Sequence, residues 1–222
     1  MPSSLTSFTL VKECSGRYCA SFVVEVEEIR LPWTAREVGL DLGLESLAVG
    51  SDGEKIAPPK FLRSALRTIG RLQGSLNRKA KGSSNRPKAR LLMARVQEKV
   101  ANQRLDLFHK LSTTYIRENQ TVVLEDLNVA GLSRNRRLAK SIADAGWRMF
   151  RTLLEYKAER YGREVVVVSR WEPTSQRCSS CGHRDGKKPL SIRRWTCSAC
   201  GAAHDRDINA AKISSPSDRR RG

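Results

Sequence analysis

The sequence predicts an α/β fold in which a mixed sheet packs against helices. Three observations support this prediction. Strand-like apolar runs recur at residues 38–49, 121–125 and 164–169. Two longer segments, at residues 87–118 and 142–160, space their apolar side chains as helices do. Four cysteines cluster after the last of these strands, and they predict a small separate module.

The predicted strands differ in character along the chain. Residues 5–30 alternate apolar and polar side chains around a Ser-Gly-Arg turn, so they predict a β-hairpin. Residues 38–49 (VGLDLGLESLAV) predict two strands joined by a tight glycine turn. Residues 121–125 (TVVLE) and 164–169 (EVVVVS) are short and rich in β-branched side chains, which is typical of buried strands.

The predicted helices are bounded by proline and glycine. The helix at residues 87–118 begins at Pro87, which suits the first turn of a helix. Its apolar stripe comprises Ala89, Met93, Val96, Val100, Leu107, Leu111 and Tyr115. The helix at 142–160 ends before Gly162, a natural C-terminal stop. The Gly/Ser-containing stretch at 77–90 predicts a mobile loop between two helices, and the block HDRDINAAKI predicts a last helix.

The charge of the chain predicts its class of partner. Lys and Arg total 41 against 23 for Asp and Glu, which gives a formal net charge of +18. Such a surplus favours nucleic acid and argues against a metabolic enzyme with small neutral substrates. The chain has no run of 18 apolar residues, so no membrane partner is expected. No secretory leader is visible, so we expect a cytoplasmic location.

The positive charge is concentrated between Lys55 and Gln97, where no acidic residue occurs. We expect this segment to follow the phosphates of a nucleic acid, although a solvated helical surface is the alternative. The candidate contacts are Lys55, Lys60, Arg63, Arg67, Arg71, Arg78, Lys79, Lys81, Arg86, Lys88 and Arg90. We expect Trp147, Trp171 and Trp195 to pack in the core or in the cysteine module, with base stacking as the alternative.

The cysteine cluster predicts a structural zinc site. Its pattern is Cys178-x2-Cys181-x15-Cys197-x2-Cys200. Two such pairs supply four thiolates, which suit tetrahedral zinc and leave no open position for catalysis. Gly182 and Gly201 directly follow the two pairs, where a tight turn is needed. Iron, disulfides and free thiols are the alternatives. Cys14 and Cys19 are interpreted as small strand residues that lie near each other by chance, because no second pair accompanies them.

Three carboxylates occupy positions where a charged acidic residue is usually unfavourable. Asp41 lies in an apolar strand, Glu125 ends another, and Asp207 opens the last helix with Asp205 just before it. A buried carboxylate is costly unless it is paired or binds metal. Three of them on separate elements favour Mg²⁺, and two such ions about 4 Å apart can clamp a phosphodiester. The alternatives are structural: a carboxylate can cap a helix or form a buried salt bridge. Asp207 can also be favoured by its place at a helix N-terminus.

Five blocks of the sequence resemble a known family. In order they are VGLDLGLESLAV, VVLEDLNVAGL, ADAGWRMFRTLLEYKAERYG, RWEPTSQRCSSCG and HDRDINAAKI. Together they resemble the TnpB (OrfB) family of transposon-encoded proteins, which are similar to the ancestors of type V CRISPR effectors. The resemblance implies an RNase H-like (RuvC) nuclease domain interrupted by a zinc ribbon. It also implies that Asp41, Glu125 and Asp207 are the catalytic ligands of Mg²⁺ and that the four clustered cysteines bind zinc, with Asp205 as a supporting group.

The resemblance also implies a domain organisation. Residues 1–36 would be the β-hairpin remnant of an N-terminal nucleic-acid-binding domain. Residues 37–170 and 202–214 would form the nuclease domain, 171–201 the zinc ribbon, and 215–222 a basic tail. Only 40 residues precede the first catalytic aspartate, where members of the family carry a longer half that binds a guide RNA.

The function implied by the resemblance is RNA-guided cleavage of DNA by a metal-dependent, transposition-associated endonuclease. The substrate would be single-stranded DNA or one strand of an opened duplex, and the products would carry a 3′ hydroxyl and a 5′ phosphate. Its partners would be DNA and a guide RNA. The competing hypothesis is a truncated, non-catalytic nucleic-acid-binding regulator of transposition. A ribosomal zinc-ribbon protein would fit the charge and the cysteines, but it leaves the three carboxylates unexplained.

Overall fold

The structure is a computed structural model that describes residues 7–26, 29–135, 138–169, 174–189 and 191–215. Trp171 and all of the predicted basic tail beyond residue 215 lie outside these residues. Among the described residues, no helix combines the length and the apolar character that crossing a bilayer requires.

The chain divides into two compact units. One comprises residues 1–28 and 60–107, and the other comprises residues 29–59 and 108–222. The domain boundaries implied by the resemblance remain a prediction. One long helix, at residues 85–118, contributes residues to both units.

The first unit contains a β-hairpin. Strands β1 (Phe8–Lys12) and β2 (Tyr18–Phe22) are antiparallel, with Phe8 opposite Phe22. The hairpin is therefore confirmed, although its strands are shorter than the predicted 5–30. Gly16 lies in its turn at φ 84°, a backbone conformation that favours glycine. Every side chain of the two strands except Cys19 is exposed.

The first unit also contains helix α1 (Phe61–Asn77) and most of helix α2 (Asn85–Glu118). Leu62, Leu66, Ile69, Leu72 and Leu76 are the half-buried side chains of one face of α1. The loop between the helices is shorter than the predicted 77–90, because α2 begins at Asn85. The Arg86 guanidinium donates to the carbonyl oxygens of Leu76 (3.2 Å) and Lys79 (2.8 Å), which satisfies the open end of α1.

The second unit is built on a five-stranded mixed sheet, which confirms the predicted α/β class. The strands are β3 (Glu37–Asp41), β4 (Ala48–Gly50), β5 (Lys55–Ile56), β6 (Thr121–Glu125) and β7 (Glu164–Val168). Their order is β5-β4-β3-β6-β7. The neighbours β3, β6 and β7 are parallel, whereas β4 and β5 are antiparallel to their neighbours. The three parallel strands therefore bring their carboxyl ends to one edge of the sheet.

Helices of the second unit correct one prediction. The segment 142–160 is not a single helix but α4 (Ala139–Ala145) followed by α5 (Trp147–Tyr161). Gly146 separates them with φ 61°, a left-handed conformation that stops a helix. A short helix α3 (Val129–Ser133) precedes them. Gly162 ends α5 at φ 64°, so the predicted stop is confirmed.

The core of the second unit lies between the sheet, the last third of α2, and α5. Phe108 and Phe150 are fully buried, with ring centroids 5.6 Å apart, and Tyr115 meets Phe150 at an edge. Lys157 is also buried, and its ammonium donates to Ser112 Oγ (2.8 Å) and Thr113 Oγ1 (2.6 Å) on α2. These contacts join α5 directly to the end of α2.

The cysteine module ends the second unit. It contains a two-stranded antiparallel sheet of β8 (Arg194–Thr196) and β9 (Ala203–Asp205), and β9 leads directly into helix α6 (Arg206–Ser214). Trp195 is buried against the His204 ring, with centroids 4.7 Å apart, and Lys188 lies 3.7 Å above it. Trp147 is also buried, so the predicted packing of these two tryptophans is confirmed.

Candidate functional site

The four clustered cysteines lie on two turns of the same design. In each turn the glycine after the second cysteine donates its N–H to the carbonyl of the first, from Gly182 to Cys178 (2.8 Å) and from Gly201 to Cys197 (2.9 Å). Both glycines adopt positive φ, at 75° and 72°. These positive φ angles are why both tight turns require glycine, as expected from the sequence. Each turn directs its two sulfurs to one point.

The sulfur positions fit a tetrahedral metal. All four Sγ atoms lie within 4.8 Å of one another, and the distances from Cys178 to Cys200 and from Cys181 to Cys197 are both 3.7 Å. Zinc–sulfur bonds of about 2.3 Å in a tetrahedron place the sulfurs about 3.8 Å apart. A disulfide would need about 2.05 Å, so the cluster is arranged for metal binding rather than for disulfides.

Three cysteines of the cluster have further polar partners. The backbone N–H groups of Cys200 and Ala199 donate to the Cys197 sulfur and lower the pKa of this thiol to about 7. Because metal-binding cysteines are thiolates, this environment favours the ligand form of Cys197. At Cys181 a backbone hydrogen bond at His183 lowers the pKa, but the neighbouring sulfurs and burial outweigh it and raise the pKa to about 12. On the other side of the cluster, His204 Nε2 lies 3.0 Å from the Cys178 sulfur.

Two carboxylates lie side by side at the edge where the parallel strands end. Leu40 of β3 pairs with Leu124 of β6, and Asp41 and Glu125 are the next residues along each strand. Equivalent residues of adjacent parallel strands present their side chains on the same face of a sheet. Burial raises the pKa of Glu125, and the neighbouring Asp126 raises it further.

Helix α6 brings a third carboxylate to the same edge. The helix packs on β3, where Gly39 leaves room for it, since a Cβ at this position would lie 2.1 Å from the carbonyl oxygen of Ala211. This close approach places Asp207, in the first turn of α6, within electrostatic reach of Asp41. The three acidic residues that the sequence singled out therefore converge.

The carboxylates near Asp41 affect its pKa. Burial raises the pKa of this carboxyl from 3.8 to about 7, and the negative charges of Asp207 and Glu125 add to the shift. Arg206 and Arg193 oppose it but do not cancel it. Carboxylate oxygens are the donors that Mg²⁺ prefers, so the residue types suit a divalent cation. Among the described residues, however, only the four cysteines bring their ligand atoms close enough together to hold an ion without rearrangement.

An arginine that the sequence did not single out contacts this cluster. Arg193 donates from Nη1 to Asp207 Oδ1 (3.4 Å) and also pairs with Glu45. It lies just before β8, so the cysteine module supplies a cation to the carboxylate cluster. No sequence pattern marked Arg193, because it is one basic residue among many.

Asp205 supports α6 rather than joining the three carboxylates. Its Oδ1 accepts from the N–H groups of Asp207 (3.1 Å) and Ile208 (3.3 Å), so Asp205 caps the helix. Its Oδ2 pairs with Lys55 Nζ at 2.7 Å. Burial alone would raise the pKa of Asp205, but the bonds from Lys55 and from the backbone hold it below its ordinary value.

A cleft of about 440 Å³ adjoins Glu125. Its lining includes Leu127, Trp147, Arg148 and Thr152, so an apolar floor carries a polar rim. Arg151, also in the lining, pairs with Asp126 (3.4 Å) and Glu155 (2.7 Å). Of the three carboxylates, Glu125 lines this cleft, whereas Asp41 and Asp207 are not part of its lining.

The predicted phosphate contacts are distributed over both units. Lys55 belongs to the sheet and is paired with Asp205, and Arg86 caps α1, so both already bind protein groups. The others lie in residues 60–90 of the first unit. Arg63, Arg67 and Arg71 are exposed on α1 at four-residue intervals, which places them on one face of the helix.

Two family models match the chain. Residues 21–136 match OrfB_IS605, described as "Probable transposase", and residues 147–213 match "Cas12f1-like, TNB domain". In a solved structure titled "Cryo-EM structure of CRISPR-Cas12f Ternary Complex", a chain 20% identical to this one superposes with a TM-score of 0.61 over 90% of this chain and 43% of that chain. The fold is thus that of the RuvC-containing proteins, as predicted, and the chain belongs to the OrfB_IS605 family.

Two curated relatives cover nearly the whole chain. A protein of Streptomyces pristinaespiralis named "Putative RNA-guided DNA endonuclease" is 48% identical over 93% of this chain and 51% of its own length. A protein of Escherichia coli K12 named "Putative RNA-guided DNA endonuclease InsQ" is 34% identical over 91% of this chain and 54% of its own length. The chain spans about half the length of these relatives.

Proposed function

We propose that this chain supplies the nuclease half of an RNA-guided, metal-dependent DNA endonuclease associated with transposition. Asp41, Glu125 and Asp207 are its catalytic carboxylates. The observation that supports this proposal best is that all three lie at one edge of the sheet, where burial, followed by the charges of Asp207 and Glu125, raises the pKa of Asp41 to about 7. The names of the curated relatives support the substrate and the guide.

Each residue of the proposed site has its own role. Two magnesium ions, when bound, would supply charge neutralisation and a reactive water for hydrolysis of a phosphodiester. Asp41 and Glu125 hold fixed positions because the register of β3 and β6 sets them. Asp207 is carried by α6, whose N-terminus Asp205 caps. Arg193 beside Asp207 limits the repulsion among the carboxylates before any cation arrives.

We propose zinc as the metal of the four-cysteine cluster, in a structural role. The 3.7 Å sulfur separations support zinc, and four protein ligands leave no position for a water. The cluster is joined to α6 through β9, so zinc would stabilise the segment that carries Asp207.

We propose that the DNA strand passes the cleft beside Glu125 and that the basic residues of the first unit bind nucleic-acid phosphates. The substrate is single-stranded DNA or one strand of an opened duplex, and the reaction takes place in the cytoplasm. The exposed row of Arg63, Arg67 and Arg71 is the strongest candidate for phosphate binding.

A cleavage assay tests the carboxylates. Zinc-loaded protein would be incubated with labelled single-stranded DNA, with and without a co-expressed RNA, in Mg²⁺ or in EDTA. We expect Mg²⁺-dependent cuts by the wild type and at least a ~10³-fold loss for Glu125→Gln, by analogy with the removal of other groups that act directly on a reacting centre. Glu159→Gln is the matched control, because Glu159 is an exposed glutamate on α5.

The outcomes separate the competing functions. Cleavage that survives Glu125→Gln would contradict the assignment of the site. Binding of nucleic acid without any cleavage, in the presence of RNA, would favour the non-catalytic regulator of transposition.

A binding assay tests the basic row. The affinity for a single strand would be measured against salt concentration for the wild type and for Arg67→Gln/Arg71→Gln. Each lost phosphate contact lowers the slope of log K against log salt by about 0.7 for single strands. Arg117→Gln is the control, because Arg117 is an exposed arginine outside the basic segment, and it should leave the slope unchanged.

A further inference from the structure

Asn209 connects the two candidate metal sites. It lies on α6 two residues after Asp207, and it is buried with 1% of its side chain exposed. A buried amide requires hydrogen-bond partners, and those of Asn209 all belong to the segment around Cys178.

Asn209 binds the backbone on both sides of Cys178. Its Oδ1 accepts from the N–H of Ser179 at 2.9 Å. Its Nδ2 donates to the carbonyl of Arg177 at 2.8 Å and to that of Thr174 at 3.4 Å. The amide thus uses its acceptor and its donors together, which fixes the position and the orientation of the cysteine turn relative to α6.

The opposite side of the same helix is fixed to the sheet. Ala211 is fully buried, and its carbonyl lies where only a glycine at position 39 fits. Helix α6 is therefore held between the cysteine turn and β3. Asp207 lies in the first turn of this helix, so a shift of the cysteine turn would move it relative to Asp41.

We infer that Asn209 is a positioning residue that couples occupancy of the four-cysteine site to the geometry of the carboxylate site. Metal bound by the cysteines orders the turn at Cys178, and Asn209 transmits that order to α6. The affinity of the carboxylates for a divalent cation then rises when the cysteine site is filled. This inference rests on the proposed function, because it takes Asp41, Glu125 and Asp207 as one cation site.

Coupling between sites is reciprocal and measurable without any cleavage. The full chain would be prepared zinc-loaded and zinc-free, and Mn²⁺ binding would be followed through the EPR signal of free Mn²⁺. In the wild type we expect zinc to lower the Kd for Mn²⁺ by about tenfold, within the usual range of coupling between sites. In Asn209→Ala we expect one zinc per chain but the same weak Mn²⁺ affinity in both forms.

Two further variants test the cause. Asn209→Asp keeps the acceptor for Ser179 but places a carboxylate oxygen against two carbonyls, so the coupling should be lost although the side chain has the same size. Asn119→Ala is the matched control, because Asn119 is also buried but lies just after α2 and donates to the carbonyl of Tyr115 in that helix (3.0 Å). This control should retain the tenfold effect. Circular dichroism of each form would confirm folding.

The possible outcomes of the Mn²⁺ binding experiment lead to different conclusions. Zinc-dependent Mn²⁺ affinity that persists in Asn209→Ala would overturn the inference, and so would loss of zinc from that variant. If Mn²⁺ binding is unaffected by Asp41→Asn, the proposed carboxylate site itself fails. If Asp41→Asn abolishes it while zinc has no influence in the wild type, only the coupling fails.

Discussion

The two candidate metal sites are assembled in opposite ways. The four cysteines lie within 23 residues of sequence, and each pair is shaped by its own glycine turn. The carboxylates come from residues 41, 125 and 207, and they meet only because two strands share a register and a helix packs on a glycine. Local sequence therefore determines the first site, whereas the tertiary fold determines the second.

The largest expected effect removes one ligand of the local site. Structural zinc contributes about 10–16 kcal/mol of apparent binding energy, so one of four thiolates accounts for about 3 kcal/mol. Cys181→Ser should therefore weaken zinc binding by about 10²-fold, measured by competition with a chromophoric chelator. Cys19→Ser is the control, because Cys19 lies on β2 outside the cluster, and equal loss in both variants would contradict the assignment.

A second prediction concerns the packing that forms the carboxylate site. Gly39→Ala places a methyl group 2.1 Å from the carbonyl oxygen of Ala211, so α6 must shift. We expect a loss of about 2–3 kcal/mol of unfolding free energy, in the range of overpacked cores, and weaker Mn²⁺ binding. Zinc stoichiometry should remain one per chain, since the cysteine turns are local.

Gly70→Ala provides the comparison for this variant. Gly70 is in α1, and a Cβ there meets nothing within 4 Å. Alanine is favoured over glycine in a helix by about 1 kcal/mol, so this change should stabilise the protein. If Gly39→Ala proves equally harmless, the close packing of α6 on β3 is not what holds the site.

A third prediction is that the carboxylate site lowers the free energy of unfolding when no metal is bound. Because the pKa of Asp41 is about 7 when folded and 3.8 in its ordinary state, the folded protein binds a proton that the unfolded chain has released. Stability from this group is thus present at low pH and lost as the pH rises to about 7. Asp41→Asn should stabilise the metal-free protein by about 2 kcal/mol at pH 8 and hardly at pH 4.

Urea unfolding in EDTA at both pH values measures this difference. Adding Mg²⁺ should stabilise the wild type at pH 8 more than Asp41→Asn, because a bound cation removes the repulsion. Equal stability of the two proteins at pH 8 would show that Asp41 is not held in a repulsive environment.

The smallest expected effect involves Arg193, which the cysteine module contributes to the carboxylate site. Arg193 lowers the pKa of Asp41, so Arg193→Gln should raise that pKa further and shift the acidic limb of the cleavage–pH profile upward. Zinc binding should not change, because Arg193 contacts Asp207 and Glu45 rather than the cysteines. An unchanged pH profile would contradict the electrostatic role.

The difference between the sites also explains what the sequence could predict. The cysteine spacing predicted the local cluster because every ligand and turn residue is within one short segment. Asp41 and Glu125 were recognisable because acidic residues end apolar strands, and the parallel register then brings them together. The pairing of Arg193 with Asp207 and that of Lys55 with Asp205 could not be predicted, because these contacts cross 14 and 150 positions of sequence.

Other features escaped prediction for physical reasons. The break at Gly146 was missed because the residues on both sides favour a helix, and only the left-handed backbone there reveals the separation. Asn209 was missed because its partners are backbone groups, which have no signature in the sequence.

The short path from the last cysteine into α6 limits how the protein can change length. Six residues separate Cys200 from Asp207, and they include all of β9 and the cap of the helix. One inserted residue there would disrupt the pairing of β9 or the Asp205 cap, and both hold the first turn of α6, which carries Asp207. The interval between Cys181 and Cys197 reaches the carboxylates through Arg193, so insertions there should be better tolerated where they leave Arg193 in place. A ribbon grafted from another protein should therefore be joined after Asn209 and not at the final cysteine.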